Sequence, residues 1–179
     1  MLRRPSGIKK QSHLAAGCYW VREGDKEKYL PLPSDADFIP YEQLHHNALH
    51  QRHIATTGQT PYDMHILYNF WSHYLVRDFN LKMYDEFFLL AHDDMEKKSS
   101  TFGMHRLQAY YHKALVSDFL IQDQVAMDYA SFVQAEDRFD EYDALSNLRS
   151  AWRNGATNMR NRKKLGEYMS SELKADLDR

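Results

Sequence analysis

The sequence contains a helical pattern that recurs, with changes, forty residues later. The first copy lies in residues 67–94, LYNFWSHYLVRDFNLKMYDEFFLLAHDD. Six residues of this stretch have similar counterparts at the same spacing: Phe70, Trp71, Leu75, Val76, Asp78 and Phe79 correspond to Tyr110, Tyr111, Leu115, Val116, Asp118 and Phe119. A period of about 40 residues that contains two helices is typical of solenoids, in which each helix pair buries its apolar face against the next pair. Such arrays usually bind other molecules, so we do not expect an enzyme.

Apolar residues at helical spacing predict helices almost continuously from Tyr41 onward. The clearest apolar face follows the spacing i, i+3, i+4, i+7, i+8 and consists of Leu67, Phe70, Trp71, Tyr74 and Leu75. We expect this helix to begin with Thr60 as its N-cap, because a proline in the first helical turn loses no hydrogen bond.

Further helices are predicted over about 81–97, from a cap at 99–101, and over about 121–138, 140–154 and 160–177. In the helix over 81–97, Asp85, Asp93 and Asp94 are expected to face water. No segment shows the alternation of a strand. The predicted fold is therefore all-α, a HEAT-like solenoid of three helix-turn-helix repeats with an extended N-terminal arm.

The chain is predicted to divide into an extended arm, 1–39, and a helical-repeat domain, 40–179. Prolines and charged residues are frequent in the arm, and helical periodicity is weak there. The apolar residues of the arm, including Trp20, leave two alternatives open. The arm either packs on the helical domain or extends away from it.

The overall charge excludes a generally basic nucleic-acid binder, since 23 Lys and Arg stand against 25 Asp and Glu. A single cysteine, Cys18, excludes an internal disulfide and suits the cytoplasm. No segment has the length and apolarity of a signal peptide or a membrane span, so neither secretion nor membrane insertion is expected. We expect a cytoplasmic monomer without a cofactor.

The residues NFWSHYLVRDFN, followed by KMYDEF and LAHDD, resemble the C-terminal tandem-repeat region of La-related protein 1, the DM-fifteen region. The resemblance runs from about Tyr41 to about Trp152 and is strongest over Phe70–Ala91. It implies helix-turn-helix repeats that hold the methylated guanosine cap and the first nucleotides of messenger RNAs with 5′ pyrimidine tracts. The partner it implies is therefore the 5′ region of mRNA, whose translation the family represses.

The residues that contact the cap in this family differ here. The family stacks the methylated base between two tyrosines, because a cationic purine stacks well on aromatic rings. Lys113 stands at the first tyrosine position, and the second falls near Asn154, where Trp152 is an alternative stacking ring. Val116 replaces a glutamate that reads the guanine edge, and two arginines that hold the phosphates and the first nucleotide are replaced by Asn69 and Ala109. Cap binding is therefore expected to be weak or absent.

The remaining polar and aromatic side chains on the corresponding surface form the candidate RNA-binding set: Asn69, His73, Arg77, Arg106, Lys113, Trp152 and Arg153. One hypothesis is that they converge into a positive groove that follows RNA phosphates. The alternative is a solvated face on a scaffold that holds a protein partner. Convergence of the cations into one groove distinguishes the two.

Two further clusters have alternative interpretations. His46, His50 and His53 share one helical face, but one helix cannot complete a tetrahedral metal site, so we expect no metal. The densest basic run is expected either to follow an RNA backbone or to form a soluble C-terminal cap. It contains Arg149, Arg153, Arg160, Arg162, Lys163 and Lys164.

Overall fold

The computed structural model describes residues 15–16, 39–135 and 144–178. The described residues form eight helices, which confirms the all-helical solenoid predicted from the sequence. They are α1 (Tyr41–Ile54), α2 (Tyr62–Arg77), α3 (Leu81–Lys98), α4 (Phe102–Val116), α5 (Asp123–Gln134), α6 (Ala144–Arg153), α7 (Met159–Tyr168) and α8 (Ser171–Leu177).

A short strand pair, which the sequence did not predict, precedes the helices. Strand β1 (Ala15–Ala16) pairs antiparallel with β2 (Ile39–Pro40), with Ala15 opposite Pro40. Two residues per strand are too few for an alternating pattern to be recognised. The division into an arm at 1–39 and a domain at 40–179 stays a prediction, because residues 1–14 and 17–38 lie outside the described residues.

In chain order, α2–α3, α4–α5 and α6–α7 are three helix-turn-helix pairs, with α1 before them and α8 after them. Helix α2 packs against α1, α3 and α4, and α4 packs also against α6 and α7. One continuous hydrophobic core runs through the array. Among the described residues, no helix combines the length and apolarity needed to cross a membrane.

Aromatic rings from successive helices form the centre of this core. Trp71 of α2 is fully buried, and its ring centroid lies 5.6 Å from that of Phe87 in α3 and 6.0 Å from that of Tyr68. Tyr84 of α3 continues the contacts to Tyr110 of α4 at 5.8 Å. Leu67, Trp71 and Leu75 of the α2 stripe are therefore buried as their spacing predicted, while Phe70 and Tyr74 are partly buried against the same core.

Asp94 corrects one expectation, since it is buried rather than facing water. Its carboxylate accepts hydrogen bonds from the Tyr68 hydroxyl at 2.7 Å and from Arg52 Nε at 2.6 Å. A buried carboxylate is tolerated when a cation and further donors satisfy it. Asp94 therefore joins α1, α2 and α3.

The helix boundaries depend on contacts between repeats as well as on local signals. Thr60 is not the N-cap of α2, because Pro61 holds that position and the Thr60 hydroxyl bonds to Ser100. The helix predicted over 160–177 is broken after Tyr168, and the Ser170 hydroxyl accepts from the Leu173 amide to begin α8. The predicted end of the helix over 140–154 is confirmed, since α6 ends at Arg153 and Gly155 follows with a φ of +72°.

Candidate nucleic-acid interface

Facing stripes of α2 and α4 bring together two residues that occupy equivalent positions in successive repeats. His73 and Lys113 are forty residues apart, and Lys113 Nζ lies 2.9 Å from His73 Nε2. His73 Nδ1 lies 2.8 Å from the Asn69 carbonyl oxygen. A carbonyl only accepts, so Nδ1 carries the proton and Nε2 accepts from the Lys113 ammonium. His73 is therefore neutral in this arrangement.

The electrostatics around His73 agree with this proton assignment. Although the residue is exposed as a whole, desolvation of its ring by neighbouring side chains lowers the pKa of His73 below its usual value near 6.5. The positive charges of Lys113, Arg106 and Arg77 lower the pKa further, while the bond to the Asn69 carbonyl opposes them. Three cations thus act on one imidazole.

We call Asn69, His73, Arg77, Arg106 and Lys113 the α2–α4 cation cluster. No carboxylate among the described residues lies within 4.0 Å of the Arg77 or Arg106 side chain. Buried Arg106 Nε has no hydrogen-bond partner in the described part of the chain. An arginine that keeps unused donors next to other cations is suited to a phosphate.

Two aromatic side chains beside Arg106 were not among the residues predicted from the sequence. The Arg106 guanidinium lies 5.0 Å from the centroid of the Phe102 ring, which stacks on His65 at 3.9 Å. Phe102 precedes Arg106 by four residues, and His65 precedes Asn69 by four. Helical i, i+4 spacing from the predicted residues Arg106 and Asn69 was the signal that could have found both.

A family model described as the LARP1 HEAT repeat region matches residues 32–143. The match covers more than half of the chain. This chain belongs to the LARP1 HEAT repeat family. No curated protein matches it.

In this LARP1 HEAT repeat chain, Trp152 and Arg153 contact α7 and α8 rather than the cation cluster. The Trp152 side chain is 7% exposed, Arg162 lies 4.2 Å from its ring centroid, and its indole N–H donates to Asp178 at 3.0 Å. Arg153 donates to the Asp176 carbonyl at 3.1 Å. A base could stack on Trp152 only if Arg162 moved.

Other side chains of the C-terminal basic run are paired within the fold. Arg149 pairs with Asp176, Arg162 with Asp178 at 3.1 Å, and Lys164 with Asp123 at 2.9 Å. Arg160 and Lys163 are exposed. These ion pairs join α6 and α7 to the α8 region and α7 to α5, which is the arrangement expected of a terminal cap.

The aligned histidines of α1 point to solvent and are not joined by other metal-ligating side chains among the described residues. His46, His50 and His53 are exposed, and the neighbouring His45 has Nε2 2.8 Å from a Glu86 carboxylate oxygen. Among the described residues, no group of three His, Cys, Asp or Glu side chains is placed to hold a metal ion.

Proposed function

We propose that this LARP1 HEAT repeat chain is an RNA-binding module that contacts messenger RNA near its 5′ end and acts in translation or mRNA stability. The observation that supports this most is the contact of Lys113 with His73 at 2.9 Å beside Arg77 and Arg106, two arginines that have no carboxylate within 4.0 Å among the described residues. Phosphate contacts supply most of the affinity for RNA that is bound without sequence preference.

The proposed module binds RNA without requiring the cap. Lys113, which replaces a stacking tyrosine of the family, donates to His73, so its side chain offers charge but no aromatic face. Val116 cannot accept hydrogen bonds from a guanine edge. Stacking is worth about 1–3 kcal/mol per base, so the loss of both kinds of contact removes most of the selectivity for a methylated cap.

The proposed location, oligomeric state and RNA target are those expected from the sequence. The module acts as a cytoplasmic monomer, without a cofactor and without catalysis. Its RNA target is the 5′ region of mRNA that the family resemblance implies.

A second candidate function is a scaffold that holds a protein partner. Two large apolar side chains are exposed beside each other at the α1–α2 turn, Ile54 at 66% and Tyr62 at 73%. Both line an open cavity of about 470 Å³. An exposed apolar patch of this kind fits a partner protein better than it fits RNA phosphates.

A salt titration of RNA binding tests the first proposal. We expect the dissociation constant of an uncapped, pyrimidine-rich RNA to rise steeply with salt, with a log–log slope that becomes shallower in Arg106→Ala and Lys113→Ala. Lys97→Ala is the matched control, because Lys97 is a surface cation paired with Asp93 on α3. No RNA binding at low salt, or equal slopes in all variants, would favour the scaffold.

A further inference from the structure

A cavity of about 230 Å³ opens beside the α2–α4 cation cluster. Arg77 belongs to both, because it lines this cavity and its charge also acts on His73. The cavity is otherwise lined mainly by apolar and aromatic side chains at the ends of α2 and α4 and in the α4–α5 loop, including Phe79, Tyr110 and Phe119. Arg77 therefore places a positive charge next to the aromatic lining of the cavity.

Phe119 occupies the same place in its repeat as Phe79 does forty residues earlier, but the two rings differ in their surroundings. Phe79 is half-buried, with its ring centroid 5.7 Å from that of Tyr84. The equivalent of Tyr84 in the next repeat is Gln124, whose amide bonds to Asp128 instead. Phe119 is 52% exposed and has no aromatic partner among the described residues.

The loop that carries Phe119 is held in place from α7. Asn161 is fully buried, and its side-chain amide donates to the Phe119 carbonyl at 2.8 Å and accepts from the Ile121 amide at 3.1 Å. Ser117 also donates to the Phe119 carbonyl, at 3.3 Å. An exposed ring on a fixed loop loses little conformational entropy when a ligand stacks on it.

We propose that this cavity receives an unstacked nucleobase of single-stranded RNA, with Phe119 as the stacking ring and Arg77 as the contact to an adjacent phosphate. The inference rests on the proposed RNA-binding function and adds a base site to its phosphate contacts. Charge complementarity selects this occupant over an apolar protein side chain, since a polyanion that follows the cation cluster reaches the cavity at Arg77. Base stacking on aromatic side chains is largely independent of sequence, so any base fits.

The test compares a short uncapped oligouridylate with an oligomer of the same length that carries abasic sites. We expect Phe119→Ala to weaken binding of the oligouridylate about 10-fold, and Phe119→Trp to retain it. Tyr62→Ala, which removes an even more exposed aromatic ring (73%) outside this cavity, should leave affinity unchanged. The abasic oligomer should bind the unchanged protein and Phe119→Ala equally, because it has no base to stack.

The outcomes separate the base site from the RNA-binding function. If Arg106→Ala and Lys113→Ala weaken binding but Phe119→Ala does not, the base site is refuted, RNA binding stands, and the cavity is left to a protein side chain. If Phe119→Ala weakens binding of the abasic oligomer as strongly as that of the oligouridylate, the ring does not stack on a base and the inference fails. If none of the variants changes RNA affinity, both proposals fail together.

Discussion

The α2–α4 cation cluster and the C-terminal basic run contain the same residue types in very different surroundings. The run at 149–164 is the denser of the two in the sequence. Arg149, Arg162 and Lys164 nevertheless pair with aspartates of α5 and the α8 region. In the cluster, Arg77 and Arg106 have no carboxylate within reach among the described residues, and their charges act on His73.

The difference teaches that the density of positive charge along a sequence does not locate a phosphate-binding surface. An arginine that is already paired must give up its carboxylate before it binds a phosphate, and this cost offsets much of the gain. An arginine without a carboxylate keeps its donors available. The cluster is therefore the better candidate for the proposed RNA surface, although its members are spread over about forty residues.

Charge reversal is the strongest way to break this comparison. We expect the double variant Arg106→Glu, Lys113→Glu to lose about 100-fold or more in affinity for uncapped RNA at low salt, because repulsion replaces two phosphate contacts. The matched control is Arg160→Glu, Lys163→Glu, which reverses two exposed cations of the C-terminal run. Fluorescence anisotropy measures both. Equal losses in the two double variants would remove the distinction between the regions.

A second prediction concerns stability and sharpens the structural role of the C-terminal region. Asn161→Ala should lower the free energy of unfolding by about 2–3 kcal/mol, because the buried Ile121 amide loses the side-chain oxygen that accepts from it and the Phe119 carbonyl is left with the longer bond from the Ser117 hydroxyl. Asn69→Ala should cost less than about 0.5 kcal/mol, since Asn69 bonds to His73 through its backbone carbonyl, which alanine retains. Urea denaturation measures both. An Asn161→Ala protein as stable as the parent would contradict the assignment.

The pH dependence of stability provides a smaller test of the cluster. Desolvation lowers the pKa of His73 and of His112, and nearby positive charge, including that of Lys113, lowers both further. The unfolded chain therefore binds more protons than the folded one as the pH falls through about 6.5, so the free energy of unfolding should decrease there. Stability that is constant over this range would argue against neutral, desolvated imidazoles.

The smallest expected effect is on the His73 titration itself. Lys113→Met removes the nearest cation, so the pKa of His73 should rise toward its ordinary value. Lys163→Met, in the C-terminal run, should leave it unchanged. Proton NMR of the imidazole follows both titrations. A His73 pKa that changes in Lys163→Met but not in Lys113→Met would contradict this prediction.

Local periodicity predicted the helical array because each repeat carries its own apolar stripe. Leu67, Trp71 and Leu75 are buried as their spacing indicated, and α3 begins at residue 81 as predicted, where the Asn80 side chain accepts from the Met83 amide at 3.2 Å. The five members of the cation cluster were proposed from the surface that corresponds to the family's cap pocket, and their role in RNA binding stays a prediction. Local spacing was sufficient for the helical features.

Features that depend on contacts between distant segments could not be read from the sequence. Asp94 looks like a solvated helix residue until Arg52 and Tyr68 are placed against it. Trp152 looks like a free stacking ring until Arg162 covers it. In each case the partner lies in another helix, and its side-chain direction decides the outcome.

The most direct test is a titration of one RNA, prepared with and without a methylated cap, at two salt concentrations. If the cation cluster binds phosphates and the cap pocket is lost, the two RNAs should bind with equal affinity, and both affinities should fall steeply as salt is raised. A capped RNA that binds more tightly than the uncapped one, together with a free cap analogue that binds at micromolar or tighter affinity only when its base is methylated, would contradict this.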